Sequence, residues 1–131
     1  MRRYSLLLAS LLVLALAVWG QALRPMTVSP SLPAATATMG ISHDTSGTTY
    51  ISIEAKHLAP AEALQPPKRV YVVWVEPAGQ PPQNHGVLQL NDKQVAKYTT
   101  TTHATDFTVF VTAENDPEVN QPTGDHLLTG R

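Results

Sequence analysis

Apolar and polar residues alternate along the segment 48–58, TTYISIEAKHL. In an extended chain, Ile51 and Ile53 fall on one face, while Tyr50 and Ser52 fall on the other. A period of two is the signature of a strand with one face buried and one exposed to solvent. The segment therefore predicts a half-buried β-strand, which a short polar turn joins to a weaker strand before it.

Two later segments predict strands of the core. The segment 69–76, RVYVVWVE, is apolar on both faces, which is typical of a strand packed between two layers. The segment 106–113, DFTVFVTA, is also rich in β-forming residues. We expect Trp74 to lie between two sheets and Tyr71 to lie on the opposite face of its strand. The predicted core residues are Tyr71, Trp74, Phe107, Val109 and Val111.

Weaker strand patterns fill the rest of the chain, and the last of them is expected to be a terminal edge strand. Seven short strands separated by turn-rich segments predict an all-β fold, an antiparallel β-sandwich over residues 35–131. Residues 23–34 are rich in proline and show no periodicity, so they are interpreted as a tether. The additional strands are predicted at 35–41, 86–90, 94–102 and 127–129, with 94–102 returning from a tight turn at 91–92.

Residues 1–22 have the three-part layout of a secretory signal peptide. Two arginines come before an uncharged apolar run at 6–19, and small residues at 20 and 22 suit cleavage before Leu23. The run has about 14 residues, fewer than the roughly 20 of a transmembrane helix. The alternative is an uncleaved anchor over residues 4–20. We expect an exported protein, periplasmic or secreted, or else one anchored to the inner membrane.

Composition narrows the possible partners. Nine Lys and Arg residues stand against ten Asp and Glu residues, and the net charge is −1. Nucleic acid is therefore not expected as a partner, because phosphate binding requires clustered basic residues. A membrane is expected as a partner only if the N-terminal segment is uncleaved. There is no cysteine, so disulfides and thiolate metal sites are excluded.

Several short motifs follow one another in a fixed order from residue 70 onward. The motifs are YVVW at 71–74, PAG at 77–79, GVL at 86–88, VTAE at 111–114, QPTG at 121–124 and LLTG at 127–130. The order and spacing of these motifs resemble the extracytoplasmic C-terminal domain of anti-sigma-K-type factors. The resemblance spans about residues 70–130, more than half of the chain that follows the proposed signal.

The resemblance implies a β fold, an extracytoplasmic location and a binding or sensing role. Members of that family carry a cytoplasmic helical domain, often with a His/Cys zinc motif, that grips the sigma factor. In this sequence only a few residues precede the apolar run and cysteine is missing, so we do not expect sigma-factor binding. The family's Gly-Gly pair is also missing near Asn115-Asp116-Pro117, so this loop is expected to differ.

Five histidines raise the hypothesis of a metal site, but their spacing matches no metal-binding motif. The expectation is therefore no metal and no cofactor. The alternative is a periplasmic copper- or zinc-binding protein that uses loop histidines, with His85 and His126 as the ligands. The histidines are His43, His57, His85, His103 and His126.

No catalytic residues are predicted. The segment Asp44-Thr45-Ser46-Gly47 is near the aspartic-protease D-T-G signature, but Ser46 interrupts it and the four residues are typical of a turn. There is neither a G-x-S-x-G elbow nor a glycine-rich phosphate loop. We predict a non-catalytic module that binds a protein of the cell envelope through sheet edges, such as 99–102, or through the loops 77–85 and 114–123.

Overall fold

The computed structural model describes residues 22–131, so the predicted signal peptide or anchor lies outside the described residues except for Ala22. Within these residues the fold is all-β, with nine strands and one 3₁₀ turn at Ala61–Ala63. The sequence predicted seven strands. The strands are β1 (Ala22–Pro25), β2 (Thr27–Val28), β3 (Thr36–His43), β4 (Thr49–Lys56), β5 (Val70–Pro77), β6 (Gln83–Leu88), β7 (Ala96–Thr102), β8 (Phe107–Glu114) and β9 (Leu128–Gly130).

The strands form two antiparallel sheets, which confirms the predicted all-β antiparallel class. The four-stranded sheet has the order β1-β3-β4-β7, and the five-stranded sheet has the order β2-β9-β8-β5-β6. Apolar side chains from both sheets form one buried cluster between them. Met39 and Ile51 enter the cluster from the first sheet, and Val73 and Val111 enter it from the second. The arrangement is a β-sandwich in which each sheet covers the inner face of the other.

The β3–β4 hairpin follows directly from the period of two in the sequence. Ile51 and Ile53 are buried, whereas Tyr50 on the alternate face is 41% exposed. The turn between the strands is held by Asp44, whose carboxylate accepts hydrogen bonds from the backbone N–H groups of Ser46 and Thr48. Bonds from the Ser46 hydroxyl and from these N–H groups lower the pKa of Asp44 to about 2.

The strand β5 is buried on both faces, but the structure reverses the predicted orientation of its aromatic residues. Tyr71 lies in the cluster between the sheets. Trp74, which was predicted to lie there, packs on the outer face of the five-stranded sheet with Val72 and Phe110. Because both faces of this strand are apolar, alternation alone does not reveal which face turns inward.

Hydrogen bonding explains why each aromatic residue is stable on its observed face. The Tyr71 hydroxyl donates to the carbonyl oxygen of Ala59 at 2.6 Å, so its polar atom has a partner at the end of the sandwich. Burial, with a smaller contribution from Glu62, raises the pKa of Tyr71 to about 12. The indole N–H of Trp74 donates to the Thr112 hydroxyl at 2.9 Å. Both buried polar atoms are thus satisfied.

Residues 23–34 are part of the fold, and their interpretation as a tether is corrected. The strand β1 pairs with β3 in one sheet, and β2 pairs with β9 in the other. Between them, Met26 is buried and its N–H donates to the Ala37 carbonyl at 2.9 Å. Leu32 is also buried. Strands of four and two residues that change sheets are too short to show a period in the sequence.

Three further predictions differ in detail from the structure. The strand β9 was expected at an edge, but it lies between β2 and β8. The strand β7 was expected to return beside the preceding strand, but it pairs with β4 in the opposite sheet. Phe107 is only partly buried against the cluster, whereas Val109 and Val111 lie within it.

The two ends of the sandwich carry different parts of the chain. At the end where β1 begins, here called the proximal end, lie the connections 44–48, 78–82 and 103–106. At the opposite or distal end lie the longer connections, which line two cavities. The distal connections are 29–35, 57–69, 89–95 and 115–127.

Candidate functional site

A groove of about 560 Å³ lies at the distal end, and we call it the distal groove. Three connections that are far apart in the sequence form its walls: 29–35, 57–69 and 115–127. Its volume lies within the range of roughly 300–1,000 Å³ that is usual for ligand sites. The lining residues are Ser31, Leu32, Pro33, Ala34, Ala35, His57, Ala59, Ala63, Leu64, Gln65, Pro66, Lys68, Ala113, Thr123, Gly124, Asp125 and Leu127.

The base of the distal groove is apolar and belongs to the main core. Leu32, Ala35, Ala113 and Leu127 all line the groove and are all buried members of the cluster between the sheets. Their positions are therefore fixed by packing. The exposed walls include Pro33, Ala34, Ala63 and Pro66, whose short or rigid side chains leave the groove open.

Three ionisable side chains line the distal groove, and none of them has an ion-pair partner within 4.0 Å among the residues that the structure describes. Lys68 and His57 belong to one wall, and Asp125 belongs to another. Among residues 22–131 the one ion pair within 4.0 Å is between Lys56 and Glu54, on the outer face of the four-stranded sheet. Lys68 is half-buried, whereas His57 and Asp125 are exposed. Lys68 is thus the least exposed of these three residues.

His57 also has an unusual backbone. Its φ angle is 55°, in the left-handed region that costs a non-glycine residue roughly 1–2 kcal/mol. The next residue, Leu58, is completely buried, and its N–H donates to the carbonyl of Gln94 at 3.1 Å. The burial and the hydrogen bond of Leu58 fix the backbone at the start of the 57–69 connection. The position of His57 in the groove lining is therefore also fixed.

The third wall of the groove is held by a buried carboxylate. Glu114 is 1% exposed and is the last residue of β8. One of its oxygens accepts hydrogen bonds from the Thr112 hydroxyl at 2.6 Å and from the Thr123 N–H at 3.0 Å. The other oxygen accepts the Thr123 hydroxyl, and the Gly124 N–H lies 3.5 Å from the first. Four donors thus converge on one carboxylate, and three of them belong to the 115–127 connection.

The ionisation of Glu114 follows from these contacts. Burial acts to raise its pKa, but the hydrogen bonds from Thr112, Thr123 and Gly124 outweigh burial and lower the pKa below its ordinary value. The carboxylate is therefore charged at neutral pH and keeps all of its donors engaged. Gly124 is required for this close packing, since a Cβ there would lie 3.0 Å from the Ala113 carbonyl oxygen.

The 115–127 connection also covers the outer face of the five-stranded sheet. The ring of His126 stacks on Phe110 with the centroids 3.7 Å apart. The side-chain amide of Asn84 donates to the carbonyl oxygens of Pro117 and Val119, at 3.0 and 2.9 Å. Trp74 beneath this layer has no exposed surface. The same connection therefore forms one wall of the groove and buries a second apolar cluster.

The alternative metal ligands His85 and His126 do not form one site. His126 contacts Phe110 on the outer face of the five-stranded sheet, whereas the His85 ring meets the Thr100 hydroxyl of the other sheet at 2.8 Å. Burial lowers the pKa of His85. No group of three or more His, Cys, Asp or Glu side chains suited to a metal ion occurs in the described part of the chain.

The predicted binding segments are separated by the fold. The loop 114–123 reaches the distal groove, but the loop 77–85 leads from β5 into β6 at the proximal end. The predicted edge segment 99–102 does lie in an edge strand, β7. The hydroxyl of Tyr98 in β7 donates to the carbonyl of His85, which ties this edge to β6.

Sequence reasoning missed the contributions of 29–35 and 57–69 to the groove. Both segments are rich in alanine and proline, a composition that marks them as connections but does not show that they meet in space. A second depression of about 520 Å³ lies on the other side of the 3₁₀ turn, where Glu62, Arg69 and Asp92 line it.

Within residues 22–131, no helix combines the length and the apolar character that a membrane crossing requires. Models of known protein families give no match to this chain, and no curated protein matches it either.

Proposed function

We propose that this chain is an exported, non-catalytic binding or sensing module, and that its distal groove holds an extended segment of a protein of the cell envelope. The observation that carries the proposal is the groove itself. Three separate connections form it over a base that belongs to the core, and the carboxylate of Glu114 fixes one of its walls. A pre-formed site of this kind loses little conformational entropy when it binds a ligand.

The composition of the groove supports binding of a chain segment. Its base is apolar, its walls carry small side chains, and a few polar groups lie at the margin. Ligand sites combine an apolar lining with a small number of polar groups that set orientation. The open walls of alanine and proline leave room for an extended peptide backbone.

The non-catalytic part of the proposal is supported by the arrangement of nucleophiles and bases. In the described part of the chain, histidine contacts a hydroxyl at two places, His43 with Thr49 and His85 with Thr100. Both contacts lie on strands away from the distal groove. The groove histidine, His57, has no hydroxyl partner among the described hydrogen bonds.

The exported location is supported by the charge and hydropathy layout of residues 1–22. The resemblance of residues 70–130 to anti-sigma-factor ectodomains favours a sensing role. The distal groove lies at the opposite end of the sandwich from Ala22. A domain held at its N-terminus would therefore present the groove away from the point of attachment.

The test is to fill the groove and measure peptide selection. Ala63 is exposed and lines the groove, while Ala78 is exposed at the proximal end, so Ala78→Trp is a matched control for Ala63→Trp. Random heptapeptides, displayed both within a longer chain and with free C-termini, are selected on the full chain and on each variant. We expect the wild type and Ala78→Trp to enrich the same sequences and Ala63→Trp to enrich none of them. The proposal fails if Ala63→Trp enriches the same peptides, or if the wild type enriches none.

A further inference from the structure

Lys68 is the one lysine or arginine among the residues that line the distal groove, and as a residue it is only partly exposed. The Lys68 backbone is held in the wall by a hydrogen bond from its N–H to the Ala61 carbonyl at 3.0 Å. No carboxylate among residues 22–131 lies within 4.0 Å of the ammonium group. An ammonium group without a carboxylate partner forms strong charge-assisted hydrogen bonds with an anionic ligand.

Two further donors belong to residues that line the same groove. Ala34 belongs to the 29–35 connection and Gln65 to the 57–69 connection, and both line the groove. Their backbone N–H groups donate to no other residue in the range that the structure describes. A positive charge accompanied by open backbone N–H groups is a common arrangement for holding the carboxylate at the end of a chain.

From these groups we infer that the distal groove binds its partner by the free C-terminal carboxylate, with Lys68 as the counter-ion. The inference rests on the proposed function of the groove and names its ligand. The last residues of the partner lie on the apolar base formed by Leu32 and Leu127. The walls near Ala63 accept small or medium side chains.

The other charged groups of the groove fit this assignment. Asp125 is exposed, so water solvates its carboxylate and it repels a ligand anion only weakly. His57 is exposed on the same wall as Lys68. The charged carboxylate of Glu114 behind the third wall already has four hydrogen-bond donors. Lys68 is therefore the cation that is left for a monoanionic ligand.

The experiment compares two pools of random hexapeptides that differ only at their C-terminus, one with a free carboxylate and one amidated. Each pool is equilibrated with the full chain, retained peptides are identified by mass spectrometry, and the Kd of the best is measured. We expect amidation to weaken binding about tenfold or more, the usual effect of losing a charge-assisted hydrogen bond.

The matched variants are Lys68→Gln and Lys93→Gln. Lys93 is exposed at the same end of the sandwich but does not line the groove. Lys68→Gln is expected to weaken the free-acid peptide about tenfold and the amide much less, whereas Lys93→Gln changes either by less than about twofold. Both variants should unfold at the wild-type temperature, because neither lysine side chain has a partner in the structure.

The outcomes separate this inference from the proposed function. If acid and amide bind equally, if Lys68→Gln has no effect, or if amidated peptides with Asp or Glu side chains bind as well as free acids, the C-terminal assignment is wrong. In those cases loss of binding in Ala63→Trp still supports the groove. If Ala63→Trp binds the selected peptides normally, or if neither pool is retained, the groove is not the site and both proposals fail.

Discussion

The outer faces of the two sheets differ sharply in chemistry and in cover. On the five-stranded sheet, Val72, Trp74 and Phe110 form an apolar cluster with at most 1% exposure beneath the connection 115–127. On the four-stranded sheet, the outer face is open and is composed mainly of hydroxyl and small residues. These are Thr36, Thr38, Gly40, Ser42, Tyr50, Ser52, Lys97, Thr99 and Thr101, together with the Glu54–Lys56 ion pair.

The difference shows that the pattern of apolar residues in a strand determines whether a distant loop must cover the outer face of its sheet. The strand β4 alternates, so one of its faces is polar and needs no cover. The strand β5 is apolar on both faces, and its second face would expose a large hydrophobic area without a covering layer. The 115–127 connection supplies that layer. A loop fixed for this reason can also serve as a rigid wall of the distal groove.

A continuous chain of hydrogen bonds locks the covering loop. The Trp74 indole donates to Thr112, the Thr112 hydroxyl donates to Glu114, and Glu114 accepts from Thr123. Trp74, Thr112 and Glu114 are buried, so the bonds among these three residues are made with little competition from water. The cover and the sheet are therefore coupled, and the predictions below test the strength of that coupling.

The largest effect is expected from Trp74→Ala, which empties the centre of the covered face. We expect the free energy of unfolding to fall by about 3–5 kcal/mol, the usual cost of removing a fully buried aromatic side chain. Urea denaturation followed by circular dichroism measures the change. Tyr50→Ala on the open face is the control, expected to cost about 0.5 kcal/mol or less. Equal losses of unfolding free energy for Trp74→Ala and Tyr50→Ala would contradict the proposed difference between the covered and the open face.

A smaller loss is expected from Glu114→Gln, which keeps the size of the side chain but replaces one acceptor oxygen with a donor. Because four donors converge on the carboxylate, we expect a loss of about 2 kcal/mol. Glu118→Gln is the control, since Glu118 is exposed on the same connection. Limited proteolysis should cut the variant, but not the control, faster within 115–127. Unchanged stability and unchanged cleavage would show that the cover is held by packing alone.

The pH dependence of stability should differ between the wild type and Glu114→Gln. The folded pKa of Glu114 lies below its ordinary value of 4.5, so the contribution of this carboxylate is present above that value and is lost as the pH falls through the folded pKa. The unfolding free energy of the wild type should therefore decline more steeply below pH 5. Asp44 is present in both proteins, so its titration cancels in the difference. Parallel curves in urea titrations would contradict the prediction.

The smallest effect is expected from His126→Ala. The ring lies on Phe110 at 3.7 Å but is exposed on its other side, so its removal should cost about 0.5–1 kcal/mol, the usual value of a stacked pair. The matched control is His103→Ala, because His103 is exposed at the proximal end. Thermal unfolding at pH 8 measures the two losses. A larger loss of stability for His103→Ala than for His126→Ala would contradict the prediction.

The sequence predicted those strands whose residues alternate or are strongly β-forming. The hairpin of β3 and β4 and the strands β5 and β8 lie within one or two residues of their predicted positions. The orientation of Trp74 was not predictable, because a strand that is apolar on both faces satisfies either orientation. Which face of β5 turns inward depends on the element that covers the outer face of its sheet. That element is the connection that begins at position 115, far beyond β5 in the sequence.

The distal groove was not predictable from local patterns at all. Its walls come from connections separated by most of the chain, and the pairing of strands decides that they meet. Residues 23–34 were misjudged for a related reason. Their burial depends on Met26 and Leu32 reaching a core built by later strands, and two apolar residues in a proline-rich stretch show no period.

The chain passes from one sheet to the other at Met26, between β1 and β2, and the pairing of β1 has a mechanical consequence. A load applied to Ala22 and resisted at the distal groove acts along the direction of β1, because that strand begins at one end of the sandwich and leads toward the other. Hydrogen bonds between antiparallel strands are perpendicular to the strand axis. The bonds that join β1 to β3 are therefore sheared together and do not open one at a time. A domain under tension between its attachment and its ligand would yield abruptly, after bearing the load as a unit.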